Sequence, residues 1–253
     1  MLDILGSHAR IIQSRGLTTN GLLLEFAPNG NLNDYLTAHP DVSLEQRITW
    51  CVQLTEGVDY FHSKRILYCD LRSDNLLLDT NLNLKVSDFQ GQHFSINGEI
   101  ILDALSLEST KEYLPREPAD HSSVKTDLFA LGSTIYFIIT GHEVFPGLDK
   151  SQDEEEIERR FRAGEFPMDE HVCISITVKC WRQFYLSARQ VLTDLVAIQE
   201  AVAGGESLNS IIKRVVPALN VDLSPPATSW LSSLCDGQTT KVPPPYRRAV
   251  GFG

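Results

Sequence analysis

Residues 124–141 read VKTDLFALGSTIYFIITG, a run that is apolar on nearly every face of a helix. A helix of that kind must be enclosed by other elements, so the run predicts a helix at the centre of a domain large enough to wrap it. Gly141 closes the run and stands where a helix stops. Asp127 places one charge at its start, and a charge there needs a polar partner or an exposed end. No stretch of about 18 apolar residues occurs in the chain, so no membrane-spanning helix is predicted.

Other elements can be arranged around that helix. Residues 8–30, HARIIQSRGLTTNGLLLEFAPNG, hold two short apolar runs separated by Thr18, Thr19, Asn20 and Gly21, which predicts a β-hairpin. LNDYLTAH reads as a short helix. Ser43 with Gln46 three residues on has the capping-box pattern. It opens SLEQRITWCVQLTEGVDYFHS, where Ile48, Cys51, Val52, Leu54, Val58 and Phe61 recur at about helical spacing. NLLLD and NLKVSD predict two short strands joined by a polar turn. Residues 91–123 show no clear period and are predicted to form a long loop, a feature that in compact domains is functional or disordered.

DKSQDEEEIERRFRAGEFP begins with acids and ends with arginines, matching the dipole of an exposed helix. CISITVKCWRQF and SARQVLTDLVAIQEAVA complete the helical part. From Gly204 the chain turns rich in Pro, Ser and Gly, which predicts a loosely attached or disordered tail. A hairpin and short strands followed by many helices is an α+β pattern with segregated elements.

Charge and cysteines narrow the classes of function. Lys and Arg number 22 against 33 Asp and Glu, a net charge of −11 that disfavours unspecific binding to nucleic acid or to an anionic membrane. The five cysteines, Cys51, Cys69, Cys173, Cys180 and Cys235, show no CxxC or Cys/His spacing. That argues against a disulfide framework or a structural zinc and for a reducing compartment. MLDILGSHAR lacks a secretory apolar region, and an intracellular, cytoplasmic location is expected. The oligomeric state is not legible.

The chemistry concentrates in ILYCDLRSDNLLLD, residues 66–79, and in SDFQG, residues 87–91. Asp70, Asp74, Asn75 and Asp88 interrupt apolar sequence there. Such residues either bond their own backbone in a turn or build a phosphate and metal site. Three blocks decide between these: Tyr68-Cys69-Asp70-Leu71-Arg72-Ser73-Asp74-Asn75, then Asp88-Phe89-Gln90, then Pro115-Arg116-Glu117. In order and spacing they match H-R-D-L-x-x-x-N, D-F-G and A-P-E, and over about residues 5–202 the chain resembles the eukaryotic protein kinases.

The resemblance implies an α+β, protein-kinase-like fold with a mainly helical large lobe and a truncated β small lobe. Residues 1–27 would be the remnant of the small lobe and the hinge. Residues 28–202 would be the large lobe, with a catalytic loop at 68–75 and an activation segment at 88–117, and 203–253 the tail. It also implies ATP and Mg²⁺ as cofactors and a protein substrate or docking partner. Asp70 would take or orient the proton of the substrate hydroxyl. Arg72 would steady the transferring phosphate, and Asn75 and Asp88 would hold Mg²⁺. Leu24 would be the gatekeeper, Glu25 and Ala27 would offer backbone groups to adenine, and Leu77 would lie beneath the ring. Thr110 would sit in the substrate groove of a serine/threonine-type enzyme. Asp127 would bond the backbone of the catalytic loop, and Glu117 and Arg189 would form a buried ion pair. Asp74 is expected to be a turn residue and His62 a structural histidine.

Several positions depart from the pattern. Cys69 replaces an arginine that normally pairs with a phosphate on the activation segment. Tyr68 replaces a histidine, and Pro115-Arg116 replaces Ala-Pro. Gln90 replaces a glycine and resists backbone angles that glycine permits, leaving Gly91 to supply that freedom. Only 24 residues precede Glu25, too few for a glycine-rich loop, a Val-Ala-Ile-Lys strand and the helix carrying its glutamate. Two functions are therefore expected. One is a phosphotransferase moving the ATP γ-phosphoryl to Ser or Thr of a protein. The other is a pseudokinase that binds proteins through its cleft, the helix at 152–162 and an open apolar face.

Overall fold

The computed structural model describes residues 1–106, 108–117 and 120–215. The chain opens with a one-turn helix α1 (Leu2–Leu5) and the antiparallel pair β1 (Ser14–Thr18) and β2 (Gly21–Leu24). Thr18 faces Gly21, leaving Thr19 and Asn20 as a two-residue turn, and Thr18 Oγ1 accepts the Asn20 N–H at 3.2 Å. All residues of both strands are exposed, and Leu17, Leu22, Leu23 and Leu24 place apolar surface on this ribbon.

Helix α2 (Leu32–Ala38) starts where the Asn31 side chain accepts the Asp34 N–H. Helix α3 (Leu44–Ser63) starts where Ser43 Oγ accepts the Gln46 N–H at 3.2 Å, and its apolar positions enter the core. Strand β3 (Ile66–Leu67) follows, then a 3₁₀ turn at Ser73–Asn75. Next come β4 (Leu76–Leu78) and β5 (Leu84–Val86), paired antiparallel with Leu76 facing Val86. Their turn is tied by Asp79 Oδ1, which accepts the N–H groups of Asn81 and Asn83.

The stretch 91–123 is more ordered than its sequence suggests. It contains β6 (Gln92–Phe94) and β7 (Ile100–Leu102), which join β3 in a three-stranded sheet of order β3-β6-β7. The strands are three residues long and β7 is exposed throughout, so no alternation of apolar and polar residues marks them.

Helix α4 (Val124–Thr140) is the central helix, buried continuously from Thr126 to Ile138. Gly141 ends it in the left-handed conformation, φ 84°, with its N–H on the Phe137 carbonyl. Helices α3 and α6 (Ile174–Trp181) pack on it, α5 (Glu154–Arg162) sets Phe161 edge-on to its Phe129, and α7 (Ala188–Ala203) packs on α3 and α6. At Gly132 an added Cβ would come within 2.6 Å of Cys180 Cβ, so glycine allows α6 to lie directly on α4. The Trp181 indole N–H then reaches Ser133 Oγ at 3.0 Å.

The tail expected from residue 203 begins instead with helix α8 (Leu208–Val215), which packs on α6 and α7 and buries Ile211. Its apolar residues recur at helical spacing, a signal overshadowed by the Pro-rich sequence that follows. Residues 216–253 lie outside the described residues. Among the described residues no helix is long and apolar enough to cross a membrane.

Candidate functional site

Asp127 organises the site. It lies in the first turn of α4, almost wholly buried, where one carboxylate oxygen accepts the Tyr68 N–H at 2.8 Å and the other the Cys69 N–H at 3.0 Å. His62 Nε2 lies 2.9 Å from the same carboxylate. The one buried charge of the helix thus has three partners, and residues 68–69 are drawn onto α4. Cys69 is held at φ 64°, a left-handed conformation that costs a non-glycine residue roughly 1 kcal/mol and persists where surrounding bonds enforce it. The Tyr68 ring stacks on Phe61 and meets Phe89 edge-on, with centroids 5.6 and 5.1 Å apart, while its hydroxyl donates to the Ser87 carbonyl. Thr134 Oγ1, two turns along α4, donates to the Leu71 carbonyl at 3.2 Å.

The β4–β5 register brings the two acidic stretches together. Because Leu76 faces Val86, Asn75 and Ser87 are the next residues along the ladder. Ser87 donates to the Asn75 carbonyl from both its N–H and its hydroxyl, each at 2.9 Å. The Asn75 side-chain amide donates to the Asp70 backbone carbonyl and to its Oδ2, both at 2.9 Å. Asp70, Asn75 and the residue preceding Asp88 therefore form one bonded unit. Asp70 Oδ1 is buried without a partner. Burial raises the Asp70 carboxyl above its ordinary range, opposed by the Asn75 amide and Arg72 and reinforced by Asp88 and Asp74. Arg72 pairs with Asp74 at 2.8 Å, so Asp74 serves as a counter-ion rather than as a turn residue bonding its own backbone.

The backbone freedom expected at Gln90 and Gly91 lies elsewhere. Asp88 itself takes the left-handed conformation, φ 51°, and its exposed carboxylate accepts the Gln90 side-chain amide at 2.6 Å. Gly91 is required for a different reason. An added Cβ would stand 1.9 Å from the Leu67 carbonyl oxygen and 2.5 Å from that of Tyr68.

Residues 29–31 run along β4, with the Leu78 N–H on the Gly30 carbonyl at 2.9 Å and Asn31 bridged to Leu77. This sets Leu77, half-buried, beside the segment after β2. Leu24 is exposed at the end of β2, and the Ala27 carbonyl accepts the Gly30 N–H. Glu25 donates its N–H to the Gln13 carbonyl, and its side chain pairs with buried Lys85 of β5 at 2.9 Å. Lys85 had no sequence signal, because a lysine in a strand reads as a solvent-facing residue.

In the stretch 88–117, expected to be an activation segment, Thr110 is half-buried, and buried Lys111 reaches Glu143 at 3.0 Å. Burial pushes the neighbouring Glu112 carboxyl up to about 7; a Ser109 hydrogen bond opposes the rise and Glu143 adds to it. Glu117 and Arg189, expected as a buried pair, are not brought together. Glu117 is exposed and lies 3.7 Å from Arg162, whereas Arg189, in the first turn of α7, turns to Asp59 of α3. The ion pair made within the segment is Glu108 with Arg116, part-buried, at 2.5 Å. Its only trace in the sequence is Arg116 standing where the family pattern has proline.

A family model described as the protein kinase domain matches residues 5–221. The chain is 28% identical over 231 residues to the probable serine/threonine-protein kinase CCRP1 of Zea mays, covering 88% of this chain and 35% of that protein. It is 30% identical over 146 residues to the serine/threonine-protein kinase SIK2 of Gallus gallus, covering 57% and 18%. It is also 29% identical over 164 residues to Protein LYK5 of Arabidopsis thaliana, covering 60% and 25%. The chain thus spans about a third or less of the length of these relatives.

Proposed function

The chain belongs to the protein kinase family, and from that premise we propose that its cleft transfers the γ-phosphoryl of ATP to a Ser or Thr hydroxyl of a protein. Kinases of this family generally use ATP and Mg²⁺. The observation that carries the reading is the bonded unit of Asp70, Asn75 and Ser87, which sets a carboxylate, an amide and Asp88 at one corner of the fold.

The residues suit the groups they would hold. Asp70 Oδ1 is a buried acceptor without a donor, a state that costs roughly 1–3 kcal/mol and is relieved by a substrate hydroxyl. Its raised proton affinity fits a group that takes or orients that proton. With its nitrogen donating to Asp70, the Asn75 amide keeps its oxygen for another partner, and with Asp88 it offers the hard oxygen donors Mg²⁺ prefers. Once bound, Mg-ATP would supply the phosphoryl group and neutralise charge on its phosphates. Arg72 would steady the transferred group. Leu24, Leu77 and the backbone of Glu25 and Ala27 would surround the adenine, and Thr110 would face the substrate. In this division residues 1–27 would belong to the small lobe and hinge, and 28–202 to the large lobe. A net charge of −11 supports a protein partner over nucleic acid.

A second reading, a protein-binding pseudokinase, draws on the Gln90 amide held 2.6 Å from Asp88, which occupies part of the proposed metal-binding carboxylate. A thermal shift with Mg-ATP followed by a phosphoryl-transfer assay separates the two. Nucleotide at about 100 times its Kd should stabilise the chain by about 2.7 kcal/mol. Asp88→Asn should abolish the Mg-dependent part, and Asp70→Ala should keep the shift and lose turnover. Stabilisation without turnover in the wild-type chain would favour the pseudokinase, and no stabilisation would remove nucleotide binding from both readings.

A further inference from the structure

The activation segment is held by an ion pair made within itself. The side chains of Glu108 and Arg116 are only 9% and 18% exposed. The Arg116 guanidinium lies 4.8 Å over the Tyr113 ring and donates to the Leu114 carbonyl and to Ser122 Oγ, each at 3.4 Å. Its own carbonyl accepts Arg162 Nη2 of α5 at 3.0 Å. One side chain therefore touches both ends of the stretch 108–116, the ring in its middle and the residues leading into α4. Lys111, buried against Glu143, pins the same stretch from its other side. Cys69 is buried, and burial pushes its thiol up to about 12. At that position the family pattern has an arginine that answers a phosphate on the segment.

We propose that Glu108 and Arg116 form a clamp that shapes residues 109–115 as the peptide-binding platform, and that this unmodified carboxylate orders the segment without a phosphate. The inference rests on the reading of Thr110 and its neighbours as the substrate groove. Both would be positioning residues, acting through the path of residues 109–115 and not on the reacting atoms. A pair largely withdrawn from water behaves characteristically when broken: losing one partner strands the other charge, whereas exchanging the two preserves the attraction. The clamp closes a loop of a few residues, so its loss frees 109–115 locally while the buried helix α4 stays protected.

The test uses this chain with Glu108→Gln, Arg116→Met and the exchanged pair Glu108→Arg/Arg116→Glu. Amide hydrogen exchange over 109–115 should rise at least about tenfold in both single variants, with α4 unchanged, and should return towards wild type in the exchanged pair. Where the chain turns over a Ser/Thr peptide, peptide KM should rise about tenfold while KM for ATP and kcat move little. Phosphatase treatment of the wild-type chain should change neither measurement. Unchanged exchange in both single variants, or a segment loosened by phosphatase, would overturn the clamp. Unfolding of all three variants would also overturn it, by making the pair a general support of the fold. If the wild-type chain proves unable to transfer phosphate, the exchange measurement still judges the clamp, and only the proposed activity fails.

Discussion

Residues 68–75, the proposed catalytic loop, and residues 88–117, the proposed activation segment, lie against each other and differ in where their holding bonds come from. The loop is held from outside, by Asp127 and Thr134 of the central helix and by Ser87 beyond β5. The segment adds to its outward ties, Lys111 to Glu143, Arg162 to the Arg116 carbonyl and β3 to β6, a set of bonds between near neighbours: Glu108 to Arg116, Glu112 N–H to the Ser109 carbonyl, Gln90 to Asp88, and β6 to β7. Bonds to a buried helix give the loop the stability of the core, while bonds between near neighbours can be remade without unfolding the domain. The more rigid region carries Asp70 and Asn75, and the more adaptable one carries Thr110.

The largest break in this contrast is expected at Asp127. Asp127→Ala leaves the Tyr68 and Cys69 N–H groups and His62 without their acceptor, at roughly 1–3 kcal/mol per stranded donor, so a loss of about 4 kcal/mol is expected. Urea denaturation measures it. A loss under about 1 kcal/mol would mean that the loop is held by something other than the helix.

Gly91 is where the two regions touch. Gly91→Ala sets a Cβ against the carbonyl oxygens of Leu67 and Tyr68, which are backbone and yield only if the loop moves. A cost of about 2 kcal/mol is expected, in the range of overpacked cores, with faster amide exchange in the loop as well as in the segment. Faster exchange confined to the segment would show that the contact does not couple them.

How legible each region was follows from the same difference. The central helix, its stop at Gly141 and the need of Asp127 for a partner could be read directly, because periodicity and a buried charge are local signals with few solutions. Asp70, Asn75 and Asp88 could be singled out from block spacing, and the short β4–β5 pairing explains why residues so far apart in sequence lie together. The segment was less legible. Its strands β6 and β7 are too short to show a period, and Glu108 with Arg116 depends on the path of an irregular chain. Gln90 drew attention as the missing glycine, yet the left-handed angle falls on Asp88 and the steric demand on Gly91.

A smaller effect tests the burial of the segment through pH. Glu112, pushed up to about 7 by burial, keeps a proton in the folded chain that the unfolded chain releases near its ordinary value of 4.5. Between those values the folded state binds more protons, so stability falls as pH rises from 4.5 to 7. The side chain is half-buried, which reduces the effect to about 1 kcal/mol. Glu112→Gln should flatten this part of the stability profile by that amount. An unchanged profile would place the carboxylate in water and the segment further open than its bonds indicate.

The smallest effect belongs to Arg189, and it distinguishes two ways of anchoring the segment. If the end of the segment were held by a buried pair between Glu117 and Arg189, Arg189→Ala would strand a buried carboxylate and cost about 3–5 kcal/mol. Arg189 instead faces Asp59 with its side chain 71% exposed, and exposed ion pairs contribute about 0–1 kcal/mol. Arg189→Ala should therefore change the unfolding free energy measured in urea by less than about 0.5 kcal/mol and leave exchange in residues 109–115 unaltered. Arg116→Met, at the other candidate anchor, should loosen those residues. A large loss from Arg189→Ala with none from Arg116→Met would reverse the assignment and make the segment, like the loop, a structure held from a distance.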